Sequence, residues 1–385
     1  MTRDPEWPAR RLSETRLQRR QLLAAGSALL ASCGAGTRTP AREVSAPLDR
    51  LLEAHADRLP ERVGAGANHY PMAAEALEAL GHADAIDAAW VEGASLYSGA
   101  PGRVAPLETD ADILSALGSY DRFGDWLDYF RAALARDPWR AVVANWTPRL
   151  APALSAAAFH GVIRTGHAVR ALHRRDSTPR RNELAVGLAY WAARYVELPT
   201  QRDDSSVRAS LGETLASLSS PWVHDRSDVD FFAVVGRLTE RPLAPPARFE
   251  PSGASPEDEL QAIVRAAAEG FLEMLVLERH RLWLLHTVTG PAALQWLLPE
   301  VDPASARKLV AYARQSVVAM YAAYGEPFTA RAHLRSAPPA WPQHIRRAVE
   351  SRSVHGIKLI DALARFDRGD DPLWRSVAAQ WFEWT

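Results

Sequence analysis

Long stretches with apolar residues spaced at the helical period dominate this sequence, and they constrain its fold more than any other feature. Strong helix formers fill the stretches. Sustained strand-type alternation is nearly absent, with Asp228–Val235 as the one weak candidate. The pattern predicts an all-α fold, a single large multi-helix domain with its site buried among the helices. The predicted helices cover Pro71–Leu80, Asp125–Ala135, Ala151–His173, Asn182–Val196, Glu257–Thr289, Pro303–Tyr324 and Ile345–Phe366.

The proline-rich stretches at 241–256 and 337–342 are typical of connections between helices. The helices on either side of them have too much apolar surface to be stable alone. We therefore expect residues 49–385 to form one helical domain.

The first 33 residues have the order of an export signal. A polar segment ends in Arg19-Arg20, and an apolar run of about a dozen residues follows, which is too short for a bilayer that needs ~20. Small residues then precede Cys33, as a lipoprotein signal peptidase requires. The order predicts a signal peptide over 1–33, a lipid attached to Cys33 and a flexible tether over 34–48.

An exported, lipid-anchored protein would lie at the cell envelope, on a membrane surface or in the periplasm, and would touch the membrane only through its lipid. Arg19 and Arg20 with the apolar residues after them also resemble a twin-arginine signal, which exports proteins already folded. A Sec-type leader stays open. The alternative is a buried amphipathic N-terminal helix with an incidental cysteine.

Charge and cysteine content exclude several classes of function. The formal net charge of −1 offers no general attraction for nucleic acid or an acidic membrane surface. Because Cys33 is the single cysteine, neither an intramolecular disulfide nor a thiolate metal site can form. The chain also lacks the glycine-rich dinucleotide and phosphate loops, the nucleophile elbow and the zinc-protease motif.

Two histidines lie seven residues apart in one predicted helix. His160 and His167 fall on the same face, about 10 Å apart along the axis, with Arg164 between them. That separation is too long for easy chelation of one ion, so the two could flank a site. The alternative is a pair of core histidines with satisfied hydrogen bonds.

A second constellation puts His355 and Lys358 one turn apart among apolar residues. Burial lowers the pKa of a lysine. Lys358 could then pair with a carboxylate such as Asp361, act as a base or nucleophile, or take up carbon dioxide as a metal-binding carbamate. The alternative is a lysine that extends to solvent at the rim of the helix.

Two further histidines have suggestive settings. His69 comes just before Pro71, which suits a first helical turn, so His69 would lie at the mouth of that helix. His286 lies within an apolar run, where an imidazole needs a polar partner or a metal ion.

Together these motifs resemble the questin oxidase-like family from roughly residue 50 to near the C-terminus. Tyr70 departs from the glycine or small aliphatic residue expected there. The motifs occur in the expected order as Asn68-His69-x-Pro71-Met72-Ala73, His160-Gly161-x-Ile163-Arg164-Thr165-x-His167-Ala168-x-Arg170, Leu285-His286-x-Val288-Thr289 and His355-x-Ile357-Lys358-Leu359.

The resemblance implies oxidative opening of a ring in a hydroxylated polycyclic aromatic such as an anthraquinone, with dioxygen as the second substrate. Imidazole and carboxylate-type ligands suit a mononuclear non-haem iron. Either His160 or His167 is expected to act outside the ligand set, and Arg164 and His167 are the candidate catalytic residues, with Arg164 on the phenolate or quinone oxygen. The candidate ligands are His69, His160, His167, His286, His355 and carbamylated Lys358.

Three alternatives stay open on the sequence alone. The first is a reductant-dependent Baeyer–Villiger-type monooxygenase of the same substrates; NADPH would fit that chemistry, but the chain has no nicotinamide or flavin fingerprint. The second is a lipid-anchored binding protein without catalysis. The third is a zinc hydrolase, against which the absence of an evident glutamate beside the histidines weighs weakly.

Overall fold

The computed structural model describes residues 46–62, 66–199, 210–218, 254–276, 281–325, 334–369 and 371–384. The predicted leader, Cys33 and the candidate strand Asp228–Val235 lie outside these residues. Within them, no helix is both long and apolar enough to cross a membrane.

Helices build nearly all of the described chain, so the prediction of an all-α fold in one compact domain is confirmed. Two short strands, Glu61–Arg62 and Gly66–Ala67, form an antiparallel pair in which Glu61 lies opposite Ala67. Short 3-10 turns occur at Ala83–Ala85, Gly93–Tyr97, Tyr120–Arg122, Ala151–Ala153, Leu294–Trp296 and Leu298–Glu300. The α-helices are α1 (Pro47–His55), α2 (Tyr70–Ala79), α3 (Ala88–Glu92), α4 (Asp110–Ala116), α5 (Phe123–Arg136), α6 (Trp139–Leu150), α7 (His160–Arg174), α8 (Thr178–Ala193), α9 (Leu211–Ser217), α10 (Pro256–Val276), α11 (Arg281–Ala293), α12 (Pro303–Tyr324), α13 (Trp341–Ser351), α14 (Val354–Phe366) and α15 (Pro372–Trp384).

Two predicted helices are too long, because apolar periodicity continues across breaks that local backbone geometry imposes. The stretch 151–173 is α-helical only from His160, since residues 157–159 take up a left-handed conformation. The stretch 345–366 divides at Arg352, which has φ 55°, and Ser353 then caps α14. The stretch 257–289 covers parts of α10 and α11, and residues 277–280 between them lie outside the described residues. The other predicted helices agree with the structure to within a few residues.

Helix α7 lies at the centre of the fold and packs against α2, α8 and α11. Two of its glycines allow the close contacts. A Cβ at Gly161 would meet Trp191 of α8 at 2.7 Å, and one at Gly166 would meet the Ala293 carbonyl of α11 at 2.6 Å. Helix α14 packs in turn on α2 and α11. The four helices α2, α7, α11 and α14 therefore converge, and they carry the predicted site.

Candidate metal centre

Five of the predicted site residues meet where these four helices converge. His69 is the residue just before α2, His160 is the first residue of α7, and His286 lies within α11. His355 and Lys358 come from the first turns of α14. Each side chain thus projects from a helix end or a packed helix face, which fixes its direction.

The four imidazole rings lie close together. The centroid of the His69 ring is 4.8 Å from that of His160, 4.3 Å from that of His355 and 6.1 Å from that of His286. The centroid of His160 is 4.5 Å from that of His286. One ring nitrogen each from His69, His286 and His355 lie within 4.8 Å of one another. Nitrogens at about 2.1 Å from a common ion would be separated by up to about 4.2 Å, so a small inward shift would let all three reach one ion.

Several nitrogens in this cluster have no protein partner within the described residues. Both ring nitrogens of His286 are buried without a hydrogen bond of standard geometry, and so is Nε2 of His160. Leaving such a group unpaired costs about 1–3 kcal/mol. Lys358 Nζ donates to His69 Nδ1 at 2.7 Å. No carboxylate is hydrogen-bonded to these four rings in the described chain. The cluster therefore leaves the lone pairs of His160 and His286 without a protein donor among the described residues.

Burial favours the neutral form of each of these groups. Desolvation lowers the pKa of His160 to about 3 and the pKa of His286 well below its usual range. Desolvation followed by the charge of Lys358 does the same to the pKa of His69 and of His355. Burial also lowers the pKa of Lys358 to about 7. Neutral imidazoles are the form that binds metal, and a neutral amine is the form that reacts with carbon dioxide.

His69 and His355 are each partly exposed, whereas His160 and His286 are buried. Lys358, with 1% of its surface exposed, is buried beside His69.

A left-handed turn orients His160. The φ angles of Ala157, Ala158 and Phe159 are 49°, 52° and 67°, a conformation that disfavours residues with a Cβ. The turn brings the Ala157 carbonyl to within 2.5 Å of Nδ1 of His160, which donates to it. This bond fixes the tautomer and leaves the lone pair on Nε2, which faces the cluster. Strain of this kind concentrates at functional sites.

In the structure, His167 and Arg164 each bind a carboxylate and do not belong to the cluster. Nδ1 of His167 lies 2.6 Å from the Glu75 carboxylate. Arg164 makes a bidentate pair with Glu183 of α8, at 2.6 and 2.9 Å, and both side chains are buried. Burial raises the pKa of Glu183, although the Arg164 charge opposes that effect.

A buried network surrounds His167. Arg170 donates to Glu75 at 2.5 and 2.7 Å and to Asp361 at 2.8 Å, and Arg365 pairs with the other oxygen of Asp361. Despite burial, Arg170 holds the pKa of Glu75 at about 2 and that of Asp361 below its ordinary value. Asp361 is thus bound to arginines, so its predicted pairing with Lys358 is absent from the described residues.

Sequence reasoning missed Glu75 and His55. Glu75 is one carboxylate in an alanine-rich helix, and nothing local marks it; the spacing of His167 and Arg170, one turn apart, was the available signal. His55 is fully buried and uses both ring nitrogens. Its Nδ1 accepts from the Asn68 side-chain amide at 3.0 Å, and its Nε2 donates to the Trp90 carbonyl at 3.2 Å. It thereby holds the residue next to His69. Tyr70 packs against His55 and Trp90.

The all-α domain thus encloses a cluster of imidazoles and a lysine, three of whose ring nitrogens are close enough together that they could hold a metal ion. Residues 67–363, about three quarters of the chain, match the sequence profile of the questin oxidase-like family. The chain therefore belongs to the questin oxidase-like family, and the resemblance drawn from the motifs is confirmed. Membership assigns it to the oxidoreductases of the oxygenase type, which act on small aromatic substrates with oxygen. No curated protein matches the sequence.

Proposed function

We propose that this protein is a mononuclear non-haem iron oxygenase that opens or oxygenates a ring of a hydroxylated polycyclic aromatic, such as an anthraquinone. The observation that carries the proposal is the cluster of four imidazoles beside a lysine, in which the buried His160 and His286 have nitrogens without a protein partner among the described residues. A buried imidazole without a hydrogen bond needs a compensating ligand. A metal ion satisfies several such nitrogens at once.

The donor set fits iron. The ligands in this proposal are His69, His160, His286, His355 and Lys358, whereas His167, held by Glu75, lies outside the set. Four imidazoles alone would leave an iron centre without an anionic ligand. Bound iron would supply the activation of dioxygen, which imidazole and carboxylate-type ligands support.

Lys358 would provide the anionic ligand as a carbamate. Its amine is buried, and its pKa of about 7 leaves a large neutral fraction at physiological pH. The amine attacks carbon dioxide, loses a proton and becomes a carboxylate on a long stem. Because the Lys358 amine lies 2.7 Å from Nδ1 of His69, the carbamate would lie next to an ion that His69 binds.

The protein residues have separate tasks in this scheme. The Ala157 carbonyl holds the His160 ring so that Nε2 is available, and His55 and Asn68 support His69 from the other side. His69 and His355 are partly exposed, so a substrate would approach the ion from their side. Burial excludes water from the reacting groups.

The direct test is metal content by mass spectrometry on the purified protein, beside Lys358→Ala and Lys308→Ala. The chain has only these two lysines, and Lys308 is exposed on α12. We expect near-stoichiometric iron in the wild type and in Lys308→Ala, and loss of iron in Lys358→Ala. Oxygen uptake with alizarin, a dihydroxyanthraquinone, should follow the iron content.

The carbamate has its own test. Protein prepared without carbon dioxide should bind iron poorly until bicarbonate is added, and labelled bicarbonate should give a carbamate signal by carbon NMR that Lys358→Ala abolishes and Lys308→Ala keeps. Zinc in place of iron would favour a hydrolase. Iron bound equally well by Lys358→Ala would contradict the carbamate, and no metal after anaerobic loading would contradict the centre itself.

We also propose that the protein is exported and held at the cell envelope by a lipid on Cys33. The order of paired arginines, apolar run and small residues before Cys33 supports this location. Cys33→Ser should move the protein from the membrane fraction to the soluble fraction of a cell extract and block incorporation of labelled palmitate. Equal partitioning of the two forms would contradict the anchor.

A further inference from the structure

His167 and Glu75 form a pair with the geometry of an oriented base. Glu75, on α2, is 2% exposed and lies 2.6 Å from Nδ1 of His167, on α7. Arg170 keeps Glu75 ionised, because its guanidinium donates to both carboxylate oxygens. An ionised carboxylate can only accept, so the His167 proton is on Nδ1 and its lone pair is on Nε2.

Nε2 of His167 is the open end of the pair. No hydrogen bond to it is present within the described residues, and it is not among the fully enclosed atoms. The side chain keeps 9% of its surface open, whereas Glu75, Arg170 and Asp361 keep 2% each. Nε2 is therefore the nitrogen of this ring that a substrate could reach.

The pair lies near the metal centre without touching it. His167 and His160 are on one face of α7, two turns or about 10 Å apart along its axis. On α14, Asp361 of the same network is one turn beyond Lys358. The distance between the two ends matches the length of a flat three-ring aromatic, so one substrate could reach both.

We propose that His167, oriented by Glu75, is the base that removes the phenolic proton of the substrate. The O–H bond breaks, the proton goes to Nε2, and the electron pair stays on the phenolate oxygen, which makes the ring more electron-rich before oxygen attack. Glu75 stabilises the resulting imidazolium through Nδ1–H, so it is a positioning residue. The proposal rests on the proposed function, because it takes a hydroxylated aromatic as substrate.

The charged groups around His167 permit this step. Glu75 faces it from α2, Arg170 from α7 itself, and Asp361 from α14, with Arg365 and Arg174 on the outer sides of the two carboxylates. Burial lowers the pKa of His167 while Glu75 opposes that effect, so the ring is a neutral acceptor at pH 7. A proton on Nε2 adds one positive charge next to two carboxylates.

Alizarin tests the step directly, because its phenolate absorbs at longer wavelength than the phenol. We would titrate alizarin bound to iron-free protein, where no metal can ionise it, in the wild type, His167→Gln, Glu75→Gln and Asp49→Asn. Asp49 is a buried carboxylate bound by Arg175 and Arg180 at another place in the fold, so its variant controls for loss of a buried charge. Folding of each variant is checked by circular dichroism and by iron uptake.

Bound alizarin should ionise in the wild type and in Asp49→Asn at a pH at least about one unit below that in His167→Gln, a tenfold change in the ionisation constant. With iron present, kcat of His167→Gln should fall about a hundredfold. Glu75→Gln should fall less, and the acid limb of its kcat/KM profile should move to lower pH, because Glu75 raises the pKa of His167.

Equal ionisation of bound alizarin in the wild type and in His167→Gln would overturn the proposal. If His167→Gln fails to fold, an unmoved acid limb in Glu75→Gln would overturn it instead. The two proposals fail separately: wild-type protein that ionises alizarin but never binds iron would contradict the oxygenase and leave the base in place.

Discussion

Two buried polar clusters share helix α7 but differ in how their polar atoms are satisfied. Around His167, Arg170 binds both the Glu75 and the Asp361 carboxylates, so the charges of this cluster are paired, although Oδ2 of Asp361 faces Arg365 without a hydrogen bond of standard geometry. Around His160, the imidazoles contact one another and leave nitrogens bare. Bare buried nitrogens are costly, and a bound ion is one way in which a protein satisfies several of them at once. The difference indicates that the cluster around His167 stabilises the fold, whereas the cluster around His160 has nitrogens available to bind a ligand.

The comparison predicts its largest effect at Arg170. Arg170→Met should lower the free energy of unfolding by about 3–5 kcal/mol, because it leaves Glu75 and Asp361 buried without a counter-charge. Urea denaturation measures the change. Arg181→Met removes an exposed pair with Asp176 and should cost less than about 1 kcal/mol. Similar losses in both variants would show that the network is not the buried support described here.

Replacement of a histidine in the cluster around His160 should change the free energy of unfolding in the opposite direction. His286→Leu should raise the free energy of unfolding of the metal-free protein by about 1 kcal/mol, since it removes two unpaired nitrogens. The same variant should lose the added stability that iron gives the wild type, which is ~2.7 kcal/mol at a hundredfold excess over Kd. Calorimetry with and without iron checks both parts. A metal-free variant destabilised like Arg170→Met would contradict the comparison.

Acid should distinguish the clusters further. The folded pKa of His160 is about 3 against an ordinary 6.5, so its unfolded form takes up a proton that the native form refuses. Its contribution is fully present above pH 6.5 and is lost as pH falls toward 3, at about 1.4 kcal/mol per pH unit. Metal-free His160→Gln should therefore lose stability less steeply over this window in denaturation series. A slope in His160→Gln equal to that of the wild type would contradict this prediction.

The smallest predicted effect concerns the turn that aims His160. Ala158→Gly should relieve a left-handed strain of about 1–2 kcal/mol, partly offset by the added freedom of the unfolded chain. We expect a slight rise in Tm by circular dichroism and unchanged iron content. A drop in iron content without loss of stability would mean that the strain itself aims the histidine.

The fold class and the five clustered residues could be predicted from the sequence because both follow from local pattern. Helical periodicity marks the helices, and a histidine or lysine on an apolar face marks an unusual burial. Helix breaks escaped prediction, because Ala157, Ala158 and Arg352 are ordinary residues whose left-handed backbone is set by packing. Glu75 escaped because its partners are 92 and 95 residues away in the chain. The different settings of His160 and His167 likewise depend on neighbours that periodicity does not specify.

The hydrogen bond between Lys358 and His69 joins residues separated by 289 positions. Contacts this distant in sequence form late, because a long loop must close before they gain anything. During synthesis the chain would fold α2, α7 and α11 before α14 leaves the ribosome. The cluster is therefore completed by one of the last helices to emerge, so the proposed binding of iron would require a chain whose synthesis has reached α14.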